Sequence, residues 1–482
     1  MTTGPIPVAS YMRQCLTSDL GGYYTSTAPS ERDQFGTKGD FVTSPEISQI
    51  FGELIGLWVV AEWIAQGRRS EGVYLMEMGP GRGTLMDDML RTIRNFPPLA
   101  KAIEAVYLVE ASRNLRIAQH KLLCGENQLT ENDIGHESTS KHSKDLKIVW
   151  TEDIRFVPRE ASKTPFIIAH EFFDALPIHV FQSIPPAPQQ QQQDSTMQTP
   201  TGPIPAARRL PQGNQWRELV ISPKPPHRLK EGEPEFELTM AKAATPHSMY
   251  LPEISPRYQA LKSTDGATIE ISPESQAYTR DFAIRLGGSN PPTPSGQPNT
   301  PPTGRTVPSA PREEPFTKSE PSGAALVIDY GPASTIPANS LRGIKQHARV
   351  SPFTSPGTTD VSADVDFLAL AESALNGSPG VEVHGPVDQA RFLNAMGIEE
   401  RAAQLVKKAV DQERAGSSTG ARDKGELTEV VKRVESGWRR LVDRSPQGMG
   451  GLYQVMAVVP FRPVAKGEVR RRPVGFGGDV AV

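Results

Sequence analysis

Apolar runs of strand length recur along this chain at Val73–Met78, Val106–Val109, Ile148–Trp150, Phe166–Ala169 and Ala325–Asp329. Between the first two, Leu85, Met89, Leu90 and Ile93 recur at spacings of three and four, the period of a helix packed on one face. After the second, Ser112 is placed to cap a helix carrying Leu115, Ala118 and Leu122. Strand, helix, strand, helix predicts an α/β fold, a parallel sheet wound on both faces. Upstream, "TSPEISQIFGELIGLW" predicts an extra amphipathic helix with Ser44 as N-cap and Pro45 in the first helical position. Its apolar face holds Ile47, Ile50, Phe51, Leu54, Ile55 and Trp58. Near the other end "LYQVMAVVP" has the composition of a last strand of the same sheet.

Polar tracts interrupt this alternation. Residues 184–213 contain "PPAPQQQQQ", and residues 287–322 are Pro-, Ser- and Thr-rich; neither can bury enough apolar surface to offset its ordering entropy. Both are expected to be disordered surface insertions, and the polar stretch Gly125–Lys144 a smaller one. The implied organisation is an N-terminal helical region and lid at 1–70 and a first half of the sheet with the ligand site at 71–183. The insertion at 184–213 follows, then a substrate-side segment at 214–286, the insertion at 287–322, and the second half of the sheet with the C-terminal region at 323–482.

Composition narrows the function classes. A hydrophobic content of 37% fits a folded body with polar insertions, and the net charge of −3 gives no global basic field for nucleic acid. The two cysteines, Cys15 and Cys124, form no metal or disulfide pattern. The longest apolar stretch, around Leu54–Ile64, is too short for a membrane span and is broken by Gly56 and Glu62. "MTTGPIPVAS" reads neither as a signal peptide nor as an Arg-rich transit segment, so no presequence is visible.

The chemistry concentrates where the first strand ends. In "VYLMEMGPGRG", Glu77 precedes Gly79, Gly81 and Gly83. Glycine permits positive φ and lets a ligand approach the backbone, although a tight strand-to-helix turn alone would also use it. The spacing is not the G-x-G-x-x-G of dinucleotide binders, and no Walker lysine motif follows. The next strand ends in Glu110, where an open α/β sheet accepts ribose hydroxyls; the third is followed by Glu152 and Asp153, either of which could accept from an adenine amino group. Singly, each could be a solvated strand-end acid, but together they fall in turn at successive strand ends.

These motifs resemble the S-adenosylmethionine site of class I methyltransferases. More closely, "GDFVTSPEISQIFGELIG", "MEMGPGRGTLMDDMLR", "IAHEFFDALPIHVFQ", "WRELVI", "GAALVIDYG", "SPGTTDVSADVDF" and "FLNAMGI" stand in the order of the MidA-like family of mitochondrial complex I assembly factor protein arginine methyltransferases. The resemblance implies a seven-stranded, doubly wound methyltransferase sheet with an added N-terminal helical region. It implies S-adenosyl-L-methionine as cofactor and symmetric dimethylation of an arginine on a complex I subunit or assembly intermediate in the mitochondrial matrix. It also makes "GDFVTSPE", with Asp40 and Thr43, a lid over the methionine end of the cofactor.

An arginine acceptor sets its own demands, because guanidinium stays protonated and its lone pairs are delocalised; carboxylates that grip one side orient it. "AHEFFDALP" supplies Glu171 and Asp174 just after the fourth strand, with His170 to orient one of them or to accept a proton late. The competing reading has Asp174 capping the turn and Glu171 bonding backbone. Phe172 and Phe173 are expected to pack rather than to stack on substrate, and His347, Asp360, Asp364 and Asp366 to sit in a substrate-facing loop as structural acids rather than as metal ligands. Two rival functions remain: a nicotinamide oxidoreductase on the same sheet, and a complex I assembly scaffold that binds the cofactor without transferring a methyl group.

Overall fold

A computed structural model describes residues 4–18, 21–25, 39–40, 42–186, 196–199, 202–205, 213–289, 315–416, 424–464, 467 and 469–478. The predicted apolar runs all form strands of one sheet: β1 (Val73–Met78), β2 (Ile103–Val109), β5 (Lys147–Thr151), β6 (Thr164–His170) and β7 (Ala324–Tyr330), joined by β3 (Thr130–Asn132), β4 (Gly135–Thr139), β8 (Val381–Asp388) and β9 (Tyr453–Pro460). The strand order is β8-β9-β7-β6-β1-β2-β5-β4-β3. The five central strands run parallel, from β7 through β6, β1 and β2 to β5. β9 lies antiparallel to β7 and to β8. Seven strands thus make the doubly wound sheet, and β4 and β3 extend its edge as an antiparallel hairpin. That hairpin lies within the polar stretch Gly125–Lys144, whose middle is ordered sheet rather than a loop. Its strands pair through backbone at the sheet edge, so they need little apolar side-chain content to form.

Alternate side chains of each strand feed two cores, as the period of two requires. On one face Leu75, Leu108, Ile148, Phe166 and Leu326 pack against α2 (Gln49–Ala65) and α3 (Thr84–Ile93). On the other, Met76, Ile167, Val327 and Met456 pack against α5 (Pro273–Gly287) and α6 (Phe367–Gly377). α4 (Arg113–Cys124) completes the first face, and α1 (Val8–Thr17) lies elsewhere, as described below.

α2 differs from its predicted form in two ways. Ser44 does not cap it: Ser44–Ile47 is a separate turn, Ser48 breaks the chain with an extended φ of −155°, and the Ser48 side chain accepts from the Ile50 amide at 3.3 Å. Nor is the helix amphipathic in its setting, since helix Ile398–Gly416 packs on its outer side and helix Lys424–Val442 on the turn before it. Its buried acids are matched accordingly, Glu53 to Arg401 at 2.8 Å and Glu62 to Arg471 at 3.0 Å.

A second, antiparallel sheet orders Ile6–Pro7, Gln215–Pro223, His179–Ile184 and Thr268–Ile271, with Phe236–Met240 paired to Gln215–Pro223. α1 was not foreseen; Val8, Met12 and Leu16 on it pack on Ile178, Val180 and Ile221 of this sheet and on Val361. The insertion at 287–322 falls mostly outside the described residues. So does much of 184–213, although Thr196–Thr199 and Gly202–Pro205 pair there as an antiparallel ribbon.

α2 and α3 meet through glycine. A Cβ on Gly52 would stand 2.5 Å from the Cβ of Asp88, and one on Gly56 3.1 Å from the Cα of Met89. Gly52→Val is therefore expected to lower stability by about 1–3 kcal/mol through overpacking. The measurement is the urea midpoint, and an unchanged midpoint would show that the two helices have room to separate.

Candidate active site

At the end of β1 the chain turns through Gly79, Gly81 and Gly83, whose φ angles of 57°, 53° and 84° are all left-handed. This is where glycine is required. A Cβ on Gly79 would also press on the Phe172 ring at 3.1 Å, and one on Gly83 on Gln119 at 3.3 Å. The turn is pinned by Gln119, wholly buried on α4. Its amide donates to the Gly81 carbonyl at 2.6 Å and to Glu110 Oε2 at 3.2 Å, and its Oε1 accepts from the Trp150 indole at 3.0 Å.

Beside the turn lies a cavity of about 360 Å³ whose walls include the glycine turn with the ends of β1 and β2, residues 43–46, residues 170–177, α1 through Met12 and Leu16, and α5 through Glu274 and Tyr278. Arg82 of the turn reaches Glu46 at 3.5 Å and ties the first two walls together. Glu77 and Glu110 are both buried. Burial and the neighbouring Glu110 hold the Glu77 carboxyl well above the usual range, and its Oε2 has no hydrogen-bond partner among the described residues. Burial pushes Glu110 up to about 7, against the Ser112 amide that donates to its Oε1 at 2.8 Å.

Another part of the cavity wall is built after β6. Asp329, at the end of β7, accepts the amides of Phe172 at 3.1 Å and Phe173 at 2.8 Å. The Glu171 amide donates to the Ile328 carbonyl at 3.0 Å. These bonds hold Glu171 at a φ of 49°, a conformation a non-glycine residue takes only when its surroundings fix it. Its side chain meets the cavity, and its Oε1 accepts from the Tyr453 hydroxyl at 2.8 Å; that hydroxyl also bonds to Tyr330. Burial and then Asp174 push the Glu171 carboxyl up to about 8, while the Tyr453 hydroxyl and the Ser44 amide pull it down. His170 lies parallel to the Tyr453 ring at 6.3 Å, and burial lowers its pKa to about 3.

The structure brings Glu77, Gly79, Gly81, Glu110, Thr43, His170 and Glu171 to one cavity, with Gly83 behind the turn as the N-cap of α3. Three candidates fall outside the lining. Asp153 caps the turn Ile154–Phe156 and pairs with Arg155 at 2.8 Å, and the acid of that strand end which reaches the cavity is Glu152. Asp40 accepts from the Tyr23 hydroxyl at 2.9 Å and the Gln346 amide at 2.8 Å, fastening the chain before residues 43–46 to the hairpin at 342–350. Asp174 is partly buried and does not line the cavity; desolvation pushes it up to about 6 against the pull of Arg342. Phe173 packs on Phe282, whereas Phe172 lines the cavity. Asp360 accepts from Tyr24, Asp364 pairs with Arg342, and Asp366 caps α6 and pairs with Arg257, so these are structural acids away from the cavity.

Sequence reasoning missed Gln119, Arg82, Asp329, Tyr330, Tyr453 and the α1 wall. Gln119 left a signal: it follows Leu115 by one helical turn, a polar residue on the face that should be apolar.

Comparison with known proteins gives a consistent result. Residues 54–387 match the family described as "Putative S-adenosyl-L-methionine-dependent methyltransferase". The chain is 31% identical over 474 residues to protein arginine methyltransferase NDUFAF7, mitochondrial, of Rattus norvegicus, covering 97% of this chain and 84% of that protein. The protein of the same name from Homo sapiens is 30% identical over 473 residues, covering 98% and 83%. Among solved structures, a protein from Burkholderia thailandensis described as a "likely methyl transferase" and bound to S-adenosyl-homocysteine aligns with a TM-score of 0.58 over 99% of this chain and 90% of that one. At 20% identity that likeness is one of fold.

Gln119→Leu would strand the Gly81 carbonyl, one Glu110 oxygen and the Trp150 indole at once. Each buried group left unpaired costs about 1–3 kcal/mol. The expected outcome is a clearly lower thermal midpoint, and a wild-type midpoint would mean the turn is held without this amide.

Proposed function

The chain belongs to this family of S-adenosylmethionine-dependent methyltransferases, and from that we propose that it transfers methyl groups to arginine, with Glu171 as the residue that holds the acceptor. The observation that carries the proposal is a buried carboxylate in a strained, over-determined turn, facing the same cavity as the glycine turn. The cavity fits the cofactor on its own features: the left-handed glycines leave backbone bare beside it, and Glu77 presents an unpaired buried oxygen. Glu110 would accept the ribose hydroxyls, Glu77 would face the charged methionine part, and Thr43 with Glu46 would cover that end. Glu152 replaces Asp153 as the acid for the adenine side.

The bound cofactor supplies an electrophilic methyl carbon on a sulfonium sulfur. Glu171 lines the same cavity as the glycine turn and can grip one edge of a guanidinium, which orients a nitrogen and draws its positive charge to the gripped side. Methylation of that nitrogen would require one N–H proton to leave. Glu171, at about 8, can take it; His170, at about 3, is too weak a base to hold it and serves as a neutral support against Tyr453 and Phe51. Asp174 acts from outside the lining, raising Glu171 by its charge.

The acceptor and setting are read more finely from the family resemblance and the relatives' names. We place the arginine on a subunit or assembly intermediate of complex I in the mitochondrial matrix, with symmetric dimethylation as the product. A complex I assembly scaffold that keeps the cofactor is the rival outcome of the tests.

Glu110→Ala should lower S-adenosylmethionine affinity by at least about tenfold, since hydrogen bonds to a charged group contribute about 1.5–3 kcal/mol each. A loss below twofold by titration calorimetry would remove Glu110 from the ribose role.

Glu171→Gln should keep cofactor affinity and lose about 10²–10³ in methyl transfer to an assembly intermediate. Equal labelling by wild type and variant would exclude this carboxylate, and no labelling by wild type would favour the scaffold. The working form of Glu171 is the carboxylate, so kcat/KM should rise with pH through about 8. Tyr453→Phe removes a bond that stabilises the carboxylate, so the rise should move to higher pH. A profile that stays in place would detach the limb from Glu171.

A further inference from the structure

Among the described residues, one cluster away from the cavity gathers metal-ligand chemistry: His179, Glu218 and His247, each offering one ligand atom, all within 4.8 Å of one another. His179 opens the strand His179–Ile184, and Glu218 sits on the neighbouring strand opposite Phe181, so the two are diagonal neighbours on one sheet face. His247 comes from the short helix Pro246–Tyr250 laid over that face. The His179 Nδ1 is 2.7 Å from Glu218 Oε1, the His247 Nδ1 is 3.7 Å from Oε2, and the two imidazole rings are 4.2 Å apart.

We propose that His179, Glu218 and His247 bind a zinc ion that fastens helix Pro246–Tyr250 to the sheet behind the cavity wall. Two imidazoles and a carboxylate are a ligand set of zinc, with bonds of about 2.0–2.2 Å. Hydrogen bonding accounts for His179, whose ring pairs with Glu218. It does not account for His247, which approaches the same carboxylate beyond hydrogen-bond reach; an ion between the three would engage both rings. The support around them has the form metal ligands need. Glu218 is buried, the Thr245 hydroxyl donates to its Oε2, and the His179 ring lies parallel to that of Phe181 at 6.2 Å. His247 is half-exposed, which leaves a path for the ion and a fourth position for water. On binding, His179 gives up the Nδ1 proton it shares with Glu218, and the proton passes to solvent. The site lies two residues beyond Pro177, which lines the cavity, so a bound ion would hold the end of that wall.

The test uses the full chain freed of metal by a chelator and titrated with Zn²⁺ in competition with a chromophoric chelator, followed by a thermal midpoint with and without Zn²⁺. The expected result is saturable binding with a raised midpoint. His247→Ala, at a half-exposed position, should weaken binding at least tenfold and abolish the rise, whereas His247→Cys, which restores a ligand, should keep both. Absence of saturable binding in the wild-type chain, or equal affinity in His247→Ala, would overturn the proposal. Co²⁺ in place of Zn²⁺ gives a second readout: tetrahedral d–d bands in wild type and their loss in His247→Ala support the site, and identical spectra in both overturn it.

Discussion

Three backbone amides converge on Asp329, those of Phe172, Phe173 and Tyr330 at 3.1, 2.8 and 2.8 Å, and the architecture of the cavity follows from that convergence. For two successive amides after β6 to point at the end of β7, the chain has to fold back sharply, and the residue before them takes the left-handed backbone. That residue is Glu171. The same fold-back lays Phe172 beneath Gly79, so the acceptor end of the cavity and the glycine turn come into register through one ring. A buried carboxylate in the second half of the sheet thereby sets the relation between two motifs of the first half.

The second organising theme is charge. Glu77, Glu110 and Glu171 face one small cavity, and Asp174 sits outside its lining; desolvation raises all four above their ordinary range. Such a group of acids is costly to ionise without a cation. On the proposed reading both ligands are cations, a sulfonium and a guanidinium. Each would favour the ionised form of the acids around it, so the protein's own protonation state becomes part of its selectivity. A neutral ligand of the same shape would leave the carboxyls protonated and gain little.

Much of the sheet was legible because the five central strands are nearly continuous apolar runs, as strands buried on both faces must be. The glycine turn and Glu110 were legible because they sit at the ends of those runs. Short edge strands such as Thr130–Asn132 were not, since edge pairing is made by backbone and leaves no apolar pattern. The second sheet hid for a related reason: its strands come from distant parts of the chain, Ile6 pairing with Ile221, so no local alternation announces a partner. The choice between Glu152 and Asp153 turned on a local bond, because Asp153 is consumed by its own turn and Arg155. Ser44 misled as a cap since Ser48, four residues on, captures the Ile50 amide instead. Tyr453 and Asp329 stood inside quoted apolar runs without a role; Asp329 gains one only when β7 lies beside β6, and Tyr453 only when β9 lies beside β7.

The first helix has a consequence for the order in which the protein is made. α1 supplies Met12 and Leu16 to the cavity, yet the surface it rests on includes Ile221 and Val361, and the Tyr11 hydroxyl bonds to the Pro352 carbonyl at 2.9 Å. α1 must therefore wait, solvated or chaperoned, until the chain through Val361 has been made. The glycine turn can take shape with the early strands, but the cavity beside it closes late. Until α1 docks, the glycine turn would face a trough that lacks one wall, and Met12 and Leu16 supply that wall.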